Sequence, residues 1–330
     1  MATTIAANAA ELKLTQEWDK TFPKSDKVEH CKATFKNRFG ITLAADVYKP
    51  KLGNGEQGTG NGKFAAIAVS GPFGAVKEQC SGLYAQTLAE RGFLTIAFDP
   101  SYTGESGGEP RYVASPDINT EDFQAAVDYL ISRPDVDAEK IGILGICGWG
   151  GLAINAAAID TRVKATVAST MYDMTRVTAN GYNDAEDSAA KRREKREAMN
   201  AQRIVDFRRG TAERGGGVVD PLPADAPQFV KDYHAYYKSP LQILPVESLD
   251  LVEWNSALAA AVVEVAMRRA GDDHELLVVA IEHFERRLAE VAAVRLFTVN
   301  HKNGTFDLAR VGEELCVEER EEARLVPAVS

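Results

Sequence analysis

The chain has 330 residues, 45% of them hydrophobic and 26% charged, with a formal net charge of −10. That is enough apolar material for one large α/β domain or two smaller ones, and the balance is that of a globular protein rather than a disordered one. An acidic surplus opposes general affinity for nucleic-acid phosphates or anionic membranes, both of which need a basic face.

In chain order, residues 1 to about 27 read as a polar lead-in, with no basic segment followed by an apolar run, so no signal peptide is expected. Residues 31–36 and 41–48 read as strands joined at 37–40. Ile41, Leu43, Ala45 and Val47 alternate with other residues, which predicts an antiparallel hairpin with one buried face. Gly53 to Gly62 is a flexible surface loop. Four short apolar runs follow, at 64–69, 93–98, 141–146 and 163–168, and suit strands buried on both faces of a parallel sheet.

Helical segments lie between these runs. One carries Leu83, Tyr84, Thr87 and Leu88 and ends at Arg91-Gly92. Another carries Phe123, Ala126, Val127, Leu130 and Ile131 at helical spacing, with Asn119 and Thr120 as candidate caps and Glu121 and Asp122 in the dipole-favoured first turn. A third runs from about Gly151 to Ile159. The alternation predicts an α/β fold, a mostly parallel doubly wound sheet with the N-terminal antiparallel hairpin attached.

From about Asp173 to Lys238 the chain turns polar, charged and helical, and reads as an insertion; its basic run, Lys191 to Glu197, reads as a solvated helix face. After Pro240 the composition shifts to Ala, Val, Glu and Arg, with strand-like runs at 276–281 and 294–299 and a helix expected between them. The division expected is a lead-in at 1–27, a core at 28–173, a helical cap insertion at 174–240 and an atypical C-terminal part of the core at 241–330. The longest apolar stretch, near Ser256 to Met267, contains Glu264 and falls short of the ~20 residues a membrane span requires.

The four cysteines, Cys31, Cys80, Cys147 and Cys316, are far apart and show no CxxC pair and no metal-like spacing with histidine. They read as reduced thiols in a reducing, cytoplasmic compartment, with no metal.

Three strand ends carry candidate chemistry. Gly145-Ile146-Cys147-Gly148-Trp149-Gly150-Gly151 joins a strand to an Ala-rich helix. A residue on so sharp a turn is lifted above the sheet edge, and the helix N-terminus beyond it is expected to lower the thiol pKa of Cys147. Asp99-Pro100-Ser101-Tyr102-Thr103-Gly104-Glu105-Ser106-Gly107-Gly108 follows another strand. Ser70-Gly71-Pro72-Phe73-Gly74 follows a third, and there Phe73 offers a backbone N–H that Pro72 lacks. Singly, each loop is a tight turn.

Together these loops resemble the α/β-hydrolase superfamily, and within it the dienelactone-hydrolase-like and acetyl-esterase or X-Pro-peptidase-like branches. The likeness covers about Lys27 to Pro240, through stretches such as KVEHCKATFKNRFGITLAADVYKP, AVSGPFGAVKEQ, AFDPSYTGESGGEPR, IGILGICGWGG and VASTMYDM. It implies a nucleophile at Cys147, an oxyanion hole from the Phe73 and Gly148 N–H groups, an acid after a late strand and a histidine after the last one. By position, His301 after 294–299 is the expected base, ahead of His274 and His283. Glu282 or Asp173 is the orienting acid; His30 and His234 read as structural.

Two departures from the family pattern stand out. The family's glycine two residues beyond the nucleophile is replaced by Trp149, which is expected to crowd the turn. The likeness also ends at Pro240, so the last ninety or so residues read as a diverged completion of the fold or as a foreign or altered-frame segment. The resemblance implies a hydrolase or acyltransferase acting on small esters, lactones or thioesters, with a small-molecule acyl substrate and no cofactor. The second reading is an inactive member that binds a ligand or partner.

Overall fold

The computed structural model describes residues 12, 14–51, 62–169, 171, 173–181, 184–215, 220–238, 275–282, 293–300 and 305–307, the last three segments as backbone. The chain divides into two compact units, residues 1–171 with 252–330 and residues 172–251.

The larger unit is built on a nine-stranded sheet. Its strands are β1 (Val28–Lys36), β2 (Thr42–Pro50), β3 (Phe64–Ser70), β4 (Leu94–Phe98), β5 (Val136–Ile146), β6 (Val163–Ser169), β7 (Glu275–Glu282), β8 (Ala293–Asn300) and β9 (Thr305–Asp307), in the spatial order β1-β2-β4-β3-β5-β6-β7-β8-β9. From β4 to β7 every pairing is parallel. The N-terminal hairpin pairs antiparallel and joins the sheet through β2 and β4. On the far side β8 and β9 also run antiparallel, so the hairpin is not alone in breaking the parallel pattern. The helix expected between β7 and β8 lies outside the described residues, as does the loop expected at 53–62 apart from Gly62.

The one-faced hairpin holds for β1 and not for β2. β2 is buried along nearly its whole length because it lies inside the sheet, and the half-exposed alternation belongs to the edge strand β1.

Among the described residues, three helices cover the two faces: α1 (Cys80–Ala89), α2 (Pro116–Ser132) and α3 (Gly148–Ile159). Alternation along the strands decides which residue meets which helix. Ile67, Val69, Leu144 and Ile146 pack with Tyr84, Ala85 and Leu88 of α1. Ala66, Ala68, Ile141 and Ile143 pack with Phe123 and Val127 of α2 and with Trp149 and Ala153 of α3.

α2 is capped four residues before Asn119. Ser115 caps it, its hydroxyl accepting from the Ile118 N–H at 3.5 Å, and Pro116 takes the first helical position, where its missing N–H costs nothing. Asn119 and Asp122 are therefore free to work inside. Asp122 is buried and accepts from Ser101 N (2.9 Å), Ser101 Oγ (2.7 Å), Asn37 Nδ2 (2.8 Å) and Asn119 Nδ2 (3.1 Å), tying the hairpin turn to the loop after β4.

The smaller unit contains α4 (Met174–Asn180), α5 (Ala189–Arg209) and α6 (Gln228–Lys238). Ser188 caps α5 at its start and Gly210, in the left-handed region, ends it. The basic run is a solvated face as expected: Arg193 pairs with Glu197 at 2.8 Å and Lys195 with Glu186 at 2.5 Å. Among the described residues no helix is long and apolar enough to cross a membrane.

Candidate active site

β3, β4 and β5 end at one edge of the sheet, and the loops leaving them carry all three sequence signals. Cys147 directly follows β5 with φ 57° and ψ −125°, a backbone conformation that side-chain-bearing residues rarely adopt. Neighbouring bonds hold it there. Its N–H donates to the Ser169 carbonyl at 2.9 Å, and its carbonyl accepts from Gly150 N at 3.0 Å.

Two glycines permit the close packing. A Cβ on Gly145 would stand 2.2 Å from the Trp149 carbonyl oxygen, and one on Gly71 would stand 2.4 Å from the Ile146 carbonyl oxygen. α3 therefore starts immediately after Cys147, at Gly148, three residues before the expected Gly151. Trp149 does not crowd the turn. It is 2% exposed and turns into the core, edge-on to Phe98 with centroids 6.1 Å apart and tilted against Phe123 at 5.6 Å.

The backbone N–H groups of Gly148 and Phe73 both hydrogen-bond to the Cys147 thiol. Burial pushes the thiol pKa above its ordinary value, and these two hydrogen bonds pull the other way without offsetting it. This corrects the expectation that the helix N-terminus leaves a low-pKa thiol: desolvation outweighs it. The resting group at neutral pH is the thiol, so nucleophilic work requires a proton acceptor.

The candidates for that acceptor and its orienting acid fall out differently. Glu282 closes β7, and register places it at the Cys147 edge: Ile146 pairs with Ser169, and Ser169 with Ile281. β8 runs the other way, and its last residue, Asn300, pairs with Glu275 at the opposite end of β7. Seven residues of strand rise separate the two ends, about 23 Å. The antiparallel β8 therefore ends at the sheet edge opposite the one where β7 ends.

His301, His274 and His283 themselves lie outside the described residues. Asp173 caps α4, its Oδ1 accepting from Thr175 N (2.9 Å), Thr175 Oγ1 (2.6 Å) and Arg176 N (3.0 Å), and these bonds hold its carboxyl below the usual range. His30 is structural as expected: it hydrogen-bonds Asp46 Oδ1 at 2.9 Å and packs between Trp18 and Tyr48. His234 lies on α6, 3.5 Å from Asp220.

On the loops after β3 and β4 lies a feature that the sequence reading missed, a buried ion cluster centred on Lys77. The Lys77 ammonium is within 2.9 Å of Asp99 Oδ2 and 2.6 Å of Glu105 Oε2, and it also pairs with Glu78. Lys32 on β1 extends the cluster, lying 2.7 Å from Glu105 and 2.8 Å from Asp19. Burial works against the charge of Lys77, but the carboxylates of Asp99 and Glu78 and the hydrogen bonds to Glu105 and Glu78 outweigh it and hold the ammonium above the ordinary lysine range. The available signals were the Lys-Glu pair just after the Phe73 loop and the acidic residues Asp99 and Glu105 in the next loop.

Comparison with known proteins bears on this edge of the sheet. Residues 118–283 match the family described as BAAT / acyl-CoA thioester hydrolase C terminal. Protein PA2218 of Pseudomonas aeruginosa is 59% identical over 234 residues, 70% of this chain and 60% of that protein. Its crystal structure superposes with a TM-score of 0.65 at 58% identity, covering 71% of each chain. YcjY of Escherichia coli K12 is 43% identical over 152 residues, 46% of this chain and 48% of that protein. The thiohydrolase aneE of Aspergillus aculeatus is 36% identical over 105 residues, 32% of this chain and 33% of that protein. The chain spans 60% and 48% of the lengths of PA2218 and YcjY. The family match begins in α2, runs through the Cys147 turn and ends one residue beyond β7, so on both sequence and architecture this chain belongs to the BAAT / acyl-CoA thioester hydrolase C-terminal family of the α/β-hydrolase superfamily.

Proposed function

We propose that the protein hydrolyses small carboxylic esters, lactones or thioesters, or transfers their acyl groups, with Cys147 as the nucleophile. One observation carries this reading. The thiol sits on a strained strand-to-helix turn and receives two backbone N–H groups from different loops, Phe73 after β3 and Gly148 at the start of α3. A substrate carbonyl oxygen brought to the same place meets the same donors, and one such donor is worth about 10²–10³ in kcat.

In the proposed reaction Cys147 Sγ bonds to the carbonyl carbon while the thiol proton passes to a histidine. The bond to the leaving oxygen or sulfur breaks, and that atom takes the proton back. Water then attacks the acyl-enzyme through the same base and restores the thiol. Two histidines compete for the role. His301 carries the family expectation, and the direction of β8 favours His283, the residue after Glu282. Glu282 is the favoured orienting acid because its strand ends at the Cys147 edge, whereas Asp173 is already engaged as a helix cap. A nucleophilic thiol must stay reduced, which fits a reducing, cytoplasmic compartment.

The family name and the thiohydrolase relative favour thioesters within the substrate class. The test is hydrolysis of a short aryl ester and a short acyl thioester by the parent protein and by Cys147→Ala. Turnover is expected to fall by at least about 10³-fold in the variant. Parental turnover in folded Cys147→Ala would place the nucleophile elsewhere, and a folded parent without turnover would favour a ligand-binding role. His283→Ala and His301→Ala then separate the two bases.

A further inference from the structure

We infer that Lys77 is a positioning residue: it clamps Asp99 from two sides and thereby fixes the loop that aims the Phe73 N–H at Cys147. The inference rests on the reading of Cys147 as nucleophile.

Asp99 is the fixed point. It follows β4, is fully buried, and packs its carboxylate into the space that a Cβ on Gly104 would take, 2.2 Å from Oδ2. The Glu105 N–H donates to that same oxygen at 2.8 Å. Lys77 grips the carboxylate through its main chain and its side chain, N to Oδ1 at 2.8 Å and Nζ to Oδ2 at 2.9 Å. Glu105 holds the ammonium from the solvent side, and Lys32 on β1 holds Glu105.

Between Phe73 and Lys77 the chain has little slack. Ala75 N donates to the Pro72 carbonyl at 3.0 Å, and Gln79 folds back to bond both ways with Val76 at 3.0 Å. The other end of the loop is pinned too, where Gly71 lies against the Ile146 backbone and Trp149 Cβ. Phe73 is thus suspended between one anchor on the Cys147 turn and another on Asp99. Releasing the second anchor leaves the thiol in place and frees only the oxyanion donor. A misplacement of about 1 Å in a catalytic group can cost about 10²-fold in rate.

The experiment compares the parent, Lys77→Met, Glu105→Gln and Cys147→Ala, all as full chains with folding checked by circular dichroism. It reads kcat and KM for a short aryl ester, and the alkylation rate of Cys147 by iodoacetamide, which uses the thiol and needs no oxyanion hole. Lys77→Met is expected to lose about 100-fold in kcat. Glu105→Gln, whose side chain is partly exposed and so tolerates change, is expected to lose about 3- to 10-fold as one support of the clamp goes. In both, KM stays within about twofold of the parent, and alkylation, which loses only the Phe73 N–H bond to the sulfur, falls far less than kcat.

Parental kcat in folded Lys77→Met overturns the inference. A parallel fall of kcat and alkylation also overturns it, because that marks a general loosening of the site. If Lys77→Met fails to fold, Glu105→Gln decides, and parental kcat there is the overturning result. Failure of the underlying reading looks different: turnover survives in Cys147→Ala, or the folded parent has none.

Discussion

Cys147 and Lys77 sit on neighbouring loops at one edge of the sheet. Both are removed from water, and burial drives both toward their neutral forms. They end in opposite states. Among the described residues, Cys147 is met by two backbone N–H groups, which do not offset its desolvation, so it stays a thiol. Lys77 is met by three carboxylates and stays an ammonium. Burial sets the default at this edge, and the partners decide the state. A buried thiol kept neutral needs a base to take its proton, while a buried group kept charged is useful as a fixed strut.

The comparison breaks most visibly at Lys77. Replacing it with Met leaves Asp99 and Glu78 buried without their counter-ion, and a loss of about 3–5 kcal/mol in unfolding free energy is expected from urea titration. A loss under about 1 kcal/mol would mean that the carboxylates take up protons cheaply and that the strut is not ionic.

The thiol side is sharpened by pH. With the pKa raised by burial, the thiolate fraction is small at neutral pH and grows about tenfold per unit. Iodoacetamide alkylation of Cys147 should still be climbing at about pH 8.5, the value for an unperturbed cysteine. A rate plateau below about pH 7.5 would mean that a cation beside the sulfur has overcome its desolvation.

The smallest expected effect is at Asp173, an exposed carboxylate that caps α4. Asp173→Ala removes the α4 cap and is expected to cost about 1 kcal/mol, read as faster amide exchange at Thr175 and Arg176. A kcat loss of more than about tenfold with that local change would restore Asp173 as the orienting acid.

Much of the larger unit is legible in the sequence, because parallel strands buried on both faces leave short apolar runs, and 64–69, 93–98, 141–146 and 163–168 are such runs. The Cys147 turn is legible for a related reason: only small residues allow β5 and α3 to approach as Gly145 does. Other features hide for physical reasons. The clamp joins Lys77 to residues 22 and 28 positions away, and no local pattern encodes such a pairing. The direction of β8 hides because an apolar run looks the same in a parallel and an antiparallel strand, and direction alone decides at which edge the strand ends. The state of the Cys147 thiol hides because a helix N-terminus is visible in sequence and the depth of burial is not. α2 illustrates a competition between caps, in which Ser115-Pro116 wins over Asn119 and Thr120 and frees Asn119 and Asp122 for the interior.

The most direct test of Cys147 as nucleophile is to trap the acyl-enzyme. The protein is mixed with a short aryl acetate, quenched in acid during turnover, digested, and the peptide spanning Cys147 is weighed. A nucleophilic Cys147 predicts one acetyl group on its sulfur, lost on longer incubation as water completes the cycle. Sustained turnover with no acetyl on Cys147, or with the acetyl on another residue, would contradict it.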